Sequence, residues 1–344
     1  MKKIFFNPLL FLAFCPLMVS CLGTSIKNDT SKELLKVTLS LSFPESEYGG
    51  TRALYGVDDS KVSYVDFFIF SSSSGKLLDG GYIRLTDGSQ SGVLQFSTDV
   101  SRSVVCCAVV NRSTSDLSSI SSLSELEDTS SYLNRQKPNC LEMYGKTGVM
   151  TLGRDEFITI KVDRIAAKVS LDGIKVNLEQ NNLASKSFTV NAVYMINVVP
   201  SLKLDGSGRP SPSTWLNNRT NTCNSSTSYG SLIWNSINVT HTSANGSYLG
   251  SPLWFYVYPN SVTSDNPGGT ATSSRYTRLV VDTSLGYYSV SLPQLQANTW
   301  YQIKNITIKG KGSTNPDVLV ERGACSVSVE VKDWSGTHIV NETY

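Results

Sequence analysis

Lys36-Val-Thr-Leu-Ser-Leu-Ser-Phe43 alternates apolar and polar residues without a break. Val37, Leu39, Leu41 and Phe43 fall on one side, and Lys36, Thr38, Ser40 and Ser42 on the other. A period of two is the pattern of a half-buried β-strand. Pro44 ends it, because proline brings no N–H to a ladder. Glu45 to Ala53 is polar and contains Gly49-Gly50, so it reads as an exposed loop open to proteases. Val57 to Phe70 resumes as a second strand, with Val65, Phe67 and Ile69 in phase. A trypsin-like cut after Arg52, before Ala53, would release a complete first strand. An arginine in such a loop is also, more simply, a solvated side chain, and spacing alone does not separate the two readings.

Outward from that stretch, the N-terminus reads as an export signal. Lys2-Lys3 precede a mostly apolar run, Ile4 to Val19, which is interrupted by Asn7 and Pro16 and is short for a membrane span. Leu17-Met-Val-Ser-Cys21 resembles a bacterial lipobox. That resemblance implies a signal peptide over 1–20, diacylglyceryl transfer to Cys21, and delivery toward the outer membrane as a lipoprotein. The alternative is a plain signal peptide with an incidental cysteine. Residues 21–35 are polar and read as a tether.

The chain has 344 residues, enough for two ordinary domains. Hydrophobic residues make up 40% and charged residues 17%, so a packed core is affordable. The formal net charge is +2 with no basic cluster, which argues against nucleic acid as a partner. Of seven cysteines, Cys15 leaves with the signal and Cys21 is the lipid site, which leaves Cys106, Cys107, Cys140, Cys223 and Cys325. Their number is odd and no metal-finger spacing occurs. Adjacent Cys106 and Cys107 must face opposite sides of a strand. The remaining cysteines read mostly as small buried hydrophobes, with one bridge among them left open.

After Ser71–Gly75, a turn, strands are expected at Tyr82–Leu85 and Val93–Phe96. Ser103 to Asn111 is continuously apolar from Val104 to Val110, as for a central strand buried on both faces. Ile120, Leu123 and Leu126 recur every three residues and predict a short helix over Ser118–Glu127. Val149–Leu152 and Glu156–Val162 complete a strand-rich first unit, and a boundary falls near Asp163. In the second unit, Phe188, Val190, Ala192, Tyr194, Ile196 and Val198 are expected on one face of a long strand. Pro200 to Pro252 reads as an irregular stretch pinned by Trp215 and Leu232-Ile-Trp234. Leu253–Asn260 and Arg278–Asp282 read as a strand pair. Tyr287–Leu292, Trp300–Gly310 and the run Cys325, Val327, Val329 and Val331 supply further strands.

Gly50-Thr-Arg-Ala-Leu-Tyr-Gly-Val57 followed by Val65-Asp-Phe-Phe-Ile-Phe70 resembles the start of the mature subunit in the fimbrillin family, the lipoprotein-derived type V pilins of Bacteroidia. Three further motifs resemble that family in the right order: Arg164-Ile-Ala-Ala-Lys-Val169, Phe255-Tyr-Val-Tyr-Pro-Asn260, and Asn298-x-x-Tyr-x-Ile-x-Asn-Ile-Thr-Ile-Lys-Gly310. The long 200–252 segment and the cysteines fall outside the resemblance. It implies an all-β protein of two tandem Greek-key, transthyretin-like sandwiches, 36–163 and 164–344. It also implies removal of the first strand by an arginine-specific protease and refilling of the groove by a neighbouring subunit. Gly336-Thr-His-Ile-Val-Asn-Glu-Thr-Tyr344 resembles the family's donor tail, with Ile339, Val340 and Tyr344 its large side chains. An ordinary last strand, paired within its own domain, fits the same residues.

Signatures of enzyme chemistry are missing. The two histidines, His241 and His338, have no nucleophile setting, and GxSxG, HExxH and P-loop motifs are absent. Asp58-Asp59 reads as a solvated turn, and no metal or cofactor is called for. Trp254, Tyr256 and Tyr258, at period two, read as a sheet face before a sugar site. The expectation is a structural pilin of extracellular fimbriae that supports adhesion, its partners being identical or related subunits. The alternatives are a minor, tip or anchor subunit, or a monomeric glycan-binding surface lipoprotein. The adhesion ligand is not legible in the sequence.

Overall fold

A computed structural model describes residues 34–43, 61–97, 103–114, 116–178, 186–208, 215–217, 230–242, 246–267, 270, 273–320, 324–334 and 340–343. All of these belong to one unit, Leu34–Tyr344. In the first half the strands are β1 (Leu34–Ser42), β2 (Val65–Ser71), β3 (Leu77–Leu85), β4 (Ser91–Ser97), β5 (Ser103–Val110), β6 (Ser130–Tyr132), β7 (Met143–Lys146), β8 (Met150–Thr151), β9 (Glu156–Lys161) and β10 (Asp163–Arg164), with one short helix, α1 (Leu123–Asp128). The second half holds β11 (Ala167–Leu171), β12 (Ile174–Val176), β13 (Phe188–Ile196), β14 (Ser201–Lys203), α2 (Gly230–Ile233), β15 (Trp234–His241), β16 (Gly246–Ser247), β17 (Leu253–Val257), β18 (Thr277–Thr283), β19 (Gly286–Leu292), β20 (Thr299–Ile308), β21 (Cys325–Asp333) and β22 (Val340–Thr343).

These strands form stacked sheets. A three-stranded sheet, β4-β1-β9, faces a larger one, β10-β7-β5-β2-β3, in which β8 also pairs with β5. In the second half, β16-β12-β20-β11-β17, extended through β21 to β22, accompanies β15-β13-β18-β19. Among the described strands, β6 and β14 form the ladder that joins the two halves. Most pairs are antiparallel; β1·β9, β11·β20 and β12·β20 are parallel.

The strand β5 shows why the core is continuous. Its side chains alternate, and both faces are buried. Val104, Cys106, Ala108 and Val110 enter one apolar cluster, while Val105, Cys107 and Val109 enter another. Cys106 and Cys107 therefore do face opposite sides, and both thiols are free, as are those of Cys140 and Cys325. The neighbouring β2 does the same, with Val65, Phe67 and Ile69 on one side and Phe68 and Phe70 on the other.

Several sequence expectations are corrected. The first strand begins at Leu34, so Leu34 and Leu35 belong to it and not to the tether. It ends at Ser42, leaving Phe43 just beyond the ladder. The second strand starts at Val65; residues 61–64 carry no regular structure. The expected 118–127 helix is a 3-10 turn, Asp116–Ser119, followed by α1, because the Ser122 side chain caps the helix there by accepting from the Glu125 N–H at 3.3 Å. In β13 a bulge after Val190 shifts the phase. Phe188, Val190, Val193, Met195 and Val198 consequently face the main core, whereas Ala192, Tyr194 and Ile196 pack on the other side with Val280 and Trp234.

The 200–252 stretch contains a full strand, β15, and Trp215 within it is completely buried. The expected pairing of Leu253–Asn260 with Arg278–Asp282 does not occur. Strand β17 pairs with β11, and β18 pairs with β13 and β19, so the two segments lie in different sheets. Among the described residues no helix is long and apolar enough to cross a membrane.

Candidate assembly site

Strand β1 is the middle strand of its sheet. It runs antiparallel to β4, with Val37 opposite Leu94 and Leu39 opposite Gly92. It runs parallel to β9, with Leu39 opposite Ile158 and Leu41 opposite Ile160. Period-two alternation aims Leu35, Val37 and Leu39 inward, where they are 2%, 0% and 0% exposed. Leu94 and Phe96 from β4, Ile158 and Ile160 from β9, and Phe67 and Cys106 from the facing sheet complete that core. Burial pushes the Cys106 thiol up to about 12, so it serves as a small apolar filler. Leu41 and Phe43 pack against the cluster while half-buried. Beyond Leu34, the outward face of β1 is polar, and the Ser40 hydroxyl lies 3.2 Å from that of Thr159. Thr38 has Val93 on one side and Phe157 on the other, 44% and 79% exposed.

The second half repeats this arrangement. There β11 lies between antiparallel β17 and parallel β20, as β1 lies between β4 and β9. Burial covers every residue of β11, and the chain leads into it directly from β10.

The tail ends in β22, whose backbone pairs with β21 from Val331 opposite Val340 to Ser328 opposite Thr343. Among the described strands it is the outermost of its sheet. Of the residues singled out in the sequence, Val37, Leu39, Leu41 and Phe43 come together at this core. Val340 is placed by its backbone alone. Cys21, Arg52, Ala53, Ile339, Tyr344, Cys223, His338, Asp58 and Asp59 lie outside the described residues. Leu35, Leu94, Phe96, Ile158 and Ile160 were not singled out, although each keeps the phase of its own strand.

Other candidate chemistry is accounted for by packing. Tyr256 and Tyr258 are 1% and 0% exposed, and the Tyr258 hydroxyl lies 2.7 Å from that of Ser131, so neither lines an open sugar site. Trp254, Trp300 and Trp334 gather around the Lys168 ammonium at 4.2, 5.5 and 5.4 Å from their ring centres. His241 packs against the Tyr248 ring, 4.3 Å between centroids. No group of three or more His, Cys, Asp or Glu able to hold a metal occurs among the described residues.

No protein-family model matches the chain. No curated protein sequence matches it either. Solved structures do. A proposed cell adhesion protein from Bacteroides eggerthii aligns with 88% of this chain and 96% of its own, at 14% identity and a TM-score of 0.62. A fimbrilin from Porphyromonas gingivalis aligns with 88% of this chain and 98% of its own, at 15% identity and a TM-score of 0.57. The tip fimbrial protein Mfa3 of the same organism, truncated at its C-terminus, aligns with 88% and 100%, at 10% identity and a TM-score of 0.55. With nearly the whole of each neighbour aligned at TM-scores of 0.55–0.62, the chain has the all-β sandwich fold of the fimbrilins.

Proposed function

We propose that this chain is a structural subunit of a surface fimbrium, polymerised by strand exchange and supporting adhesion. The observation that carries this reading is the position of β1, a middle strand flanked by two ladders; in the sequence, the polar stretch Glu45–Ala53 with Arg52 follows it. Strands in that position ordinarily stay for good. If β1 is cut free, Leu35, Val37 and Leu39 leave the core; at about 1.5–3 kcal/mol each, this removes on the order of 5–9 kcal/mol. That is comparable to the stability of a whole domain. The same step bares two strand edges, β4 and β9, on either side of one slot. A strand from a neighbouring subunit restores both ladders and the side chains together.

The tail is the natural donor. Among the described residues β22 holds on by one ladder only, to β21, so releasing it disturbs far less than releasing β1. The full sequence of events has the chain exported behind the 1–20 signal and lipidated on Cys21. It is carried to the outer membrane, cut between Arg52 and Ala53 by an arginine-specific protease, and joined to identical or related subunits. Two sandwich units, 36–163 and 164–344, make up the subunit, and its role is mechanical, not enzymatic. Likeness in fold to a fimbrilin and a tip fimbrial protein supports the fimbrial part of the reading.

Arg52→Ala tests it. The variant should accumulate as a lipidated precursor that forms no filaments, and Cys21→Ala should abolish incorporation of labelled palmitate. Normal filament yield from Arg52→Ala would contradict the proposal.

A further inference from the structure

The outer edge of β19 is only half covered. Tyr287 exchanges two backbone hydrogen bonds with Ser313, 2.8 and 2.9 Å long, on the side away from β18. In an antiparallel ladder every second residue turns its N–H and C=O the same way, so Ser289 and Ser291 direct theirs outward too. The Ser289 hydroxyl donates to the Pro316 carbonyl at 2.6 Å, and there the covering segment leaves the strand. Among the described residues no backbone partner meets Ser289 or Ser291 on that outward side.

A cavity of about 340 Å³ opens beside this free edge, walled by Leu319, Val320, Cys325 and Val327. Among the described residues, the Ser291 hydroxyl, which lines this cavity, and the Nε of its cross-strand neighbour Arg278 are buried without hydrogen-bond partners. The charges at the rim are already matched. Arg278 donates to the carboxylates of Asp265 and Asp317, and Asp265 also accepts from the Tyr276 N–H at 3.0 Å. The recess thus offers backbone hydrogen bonds and an apolar hole, with no uncompensated charge.

We propose that this edge docks an extended, uncharged peptide segment of another protein, which adds to β19 as a short strand and places one branched aliphatic side chain in the cavity. Strand addition of this kind draws affinity from main-chain bonds and selectivity from the side-chain pocket. A folded second copy is a poor occupant, because the Ser313–Pro316 segment already covers the adjoining part of the edge and blocks a flat, edge-to-edge approach. The inference is independent of strand exchange at β1, since the two sites share no strand.

The test titrates the full, uncut, isotopically labelled chain with the capped peptide acetyl-Thr-Val-Thr-Val-Thr-amide and follows the backbone amide resonances. Saturable shifts at Ser289 and Ser291 are expected. Two variants separate docking from folding. Ser291→Pro removes an outward N–H that no described residue accepts from, and edge strands tolerate proline. Leu319→Asp places a charge on a side chain that is 46% exposed, so it should leave the fold intact even if the proline does not. Each variant, and a peptide with N-methylated valines, should bind at least about tenfold more weakly, as loss of ladder bonds or of the apolar pocket requires. Absence of saturable shifts, unchanged affinity in a folded Leu319→Asp variant, or shifts confined to β4 and β9 would overturn the proposal. So would concentration-dependent self-association that Ser291→Pro abolishes, because the occupant would then be a second copy.

Discussion

Leu39 of β1 lies opposite Ile158 of β9 in a parallel ladder, and both are buried in the same core, at 0% and 3% exposure. They differ in what happens to them on assembly. If β1 is removed by a cut after Arg52, Leu39 leaves with it and Ile158 stays. Leu39→Ala should therefore cost the precursor about 2–5 kcal/mol and leave the assembled filament's resistance to denaturant unchanged. Ile158→Ala should cost about the same in both forms, since the cavity it leaves persists. Denaturant melts of precursor and of sheared filaments provide the comparison. Equal destabilisation of the filament by both substitutions would place β1 inside the assembled subunit.

The sequence was most legible where a single rule acts over a whole element. Unbroken alternation located β1, and the apolar run from Val104 to Val110 identified β5 as a central strand. It was least legible where one local feature resets the phase. The bulge after Val190 reverses which face Tyr194 and Ile196 occupy, and nothing in the residue pattern marks it. Pairing between distant strands was also hidden. Strands β17 and β18 are close in sequence, as hairpin partners are, yet each is claimed by a strand much earlier in the chain, β11 and β13. At the candidate site, β1 could be read from its own alternation, while the identity of its two neighbours could not.

The tail offers a second prediction. A chain lacking 336–344 should be exported and cut after Arg52, because neither step needs a donor. It should stay folded, because among the described residues β22 contributes one edge ladder. It should then fail to extend filaments, having a slot that accepts and nothing to give. Electron microscopy of cells expressing only the truncated chain decides this. Long filaments would remove the tail from the mechanism, and an unfolded product would make β22 an ordinary strand of its own sheet.

A third prediction concerns Asp66, fully buried in β2, where it accepts hydrogen bonds from the Tyr82 hydroxyl at 2.8 Å and from Arg84 at 2.7 Å. Burial outweighs these contacts and raises its carboxyl above the ordinary 3.8. The folded chain thus holds this proton more tightly than the unfolded chain does. The contribution of Asp66 to stability is then largest below the unfolded value and falls as pH rises through the folded one. Asp66→Asn, which cannot titrate, should gain on the wild type as pH is raised from about 4 toward neutrality. Unfolding free energies of both proteins across that range measure the trend. A wild type that gains on the variant with rising pH would show that the Arg84 pair dominates.

The central claim is that the subunit in the filament lacks its first strand. It is tested most directly by the N-terminal sequence and intact mass of the protein in sheared surface filaments. The account predicts a chain beginning at Ala53, with no peptide from residues 36–43. A filament subunit that retains Cys21 through Phe43 would contradict it.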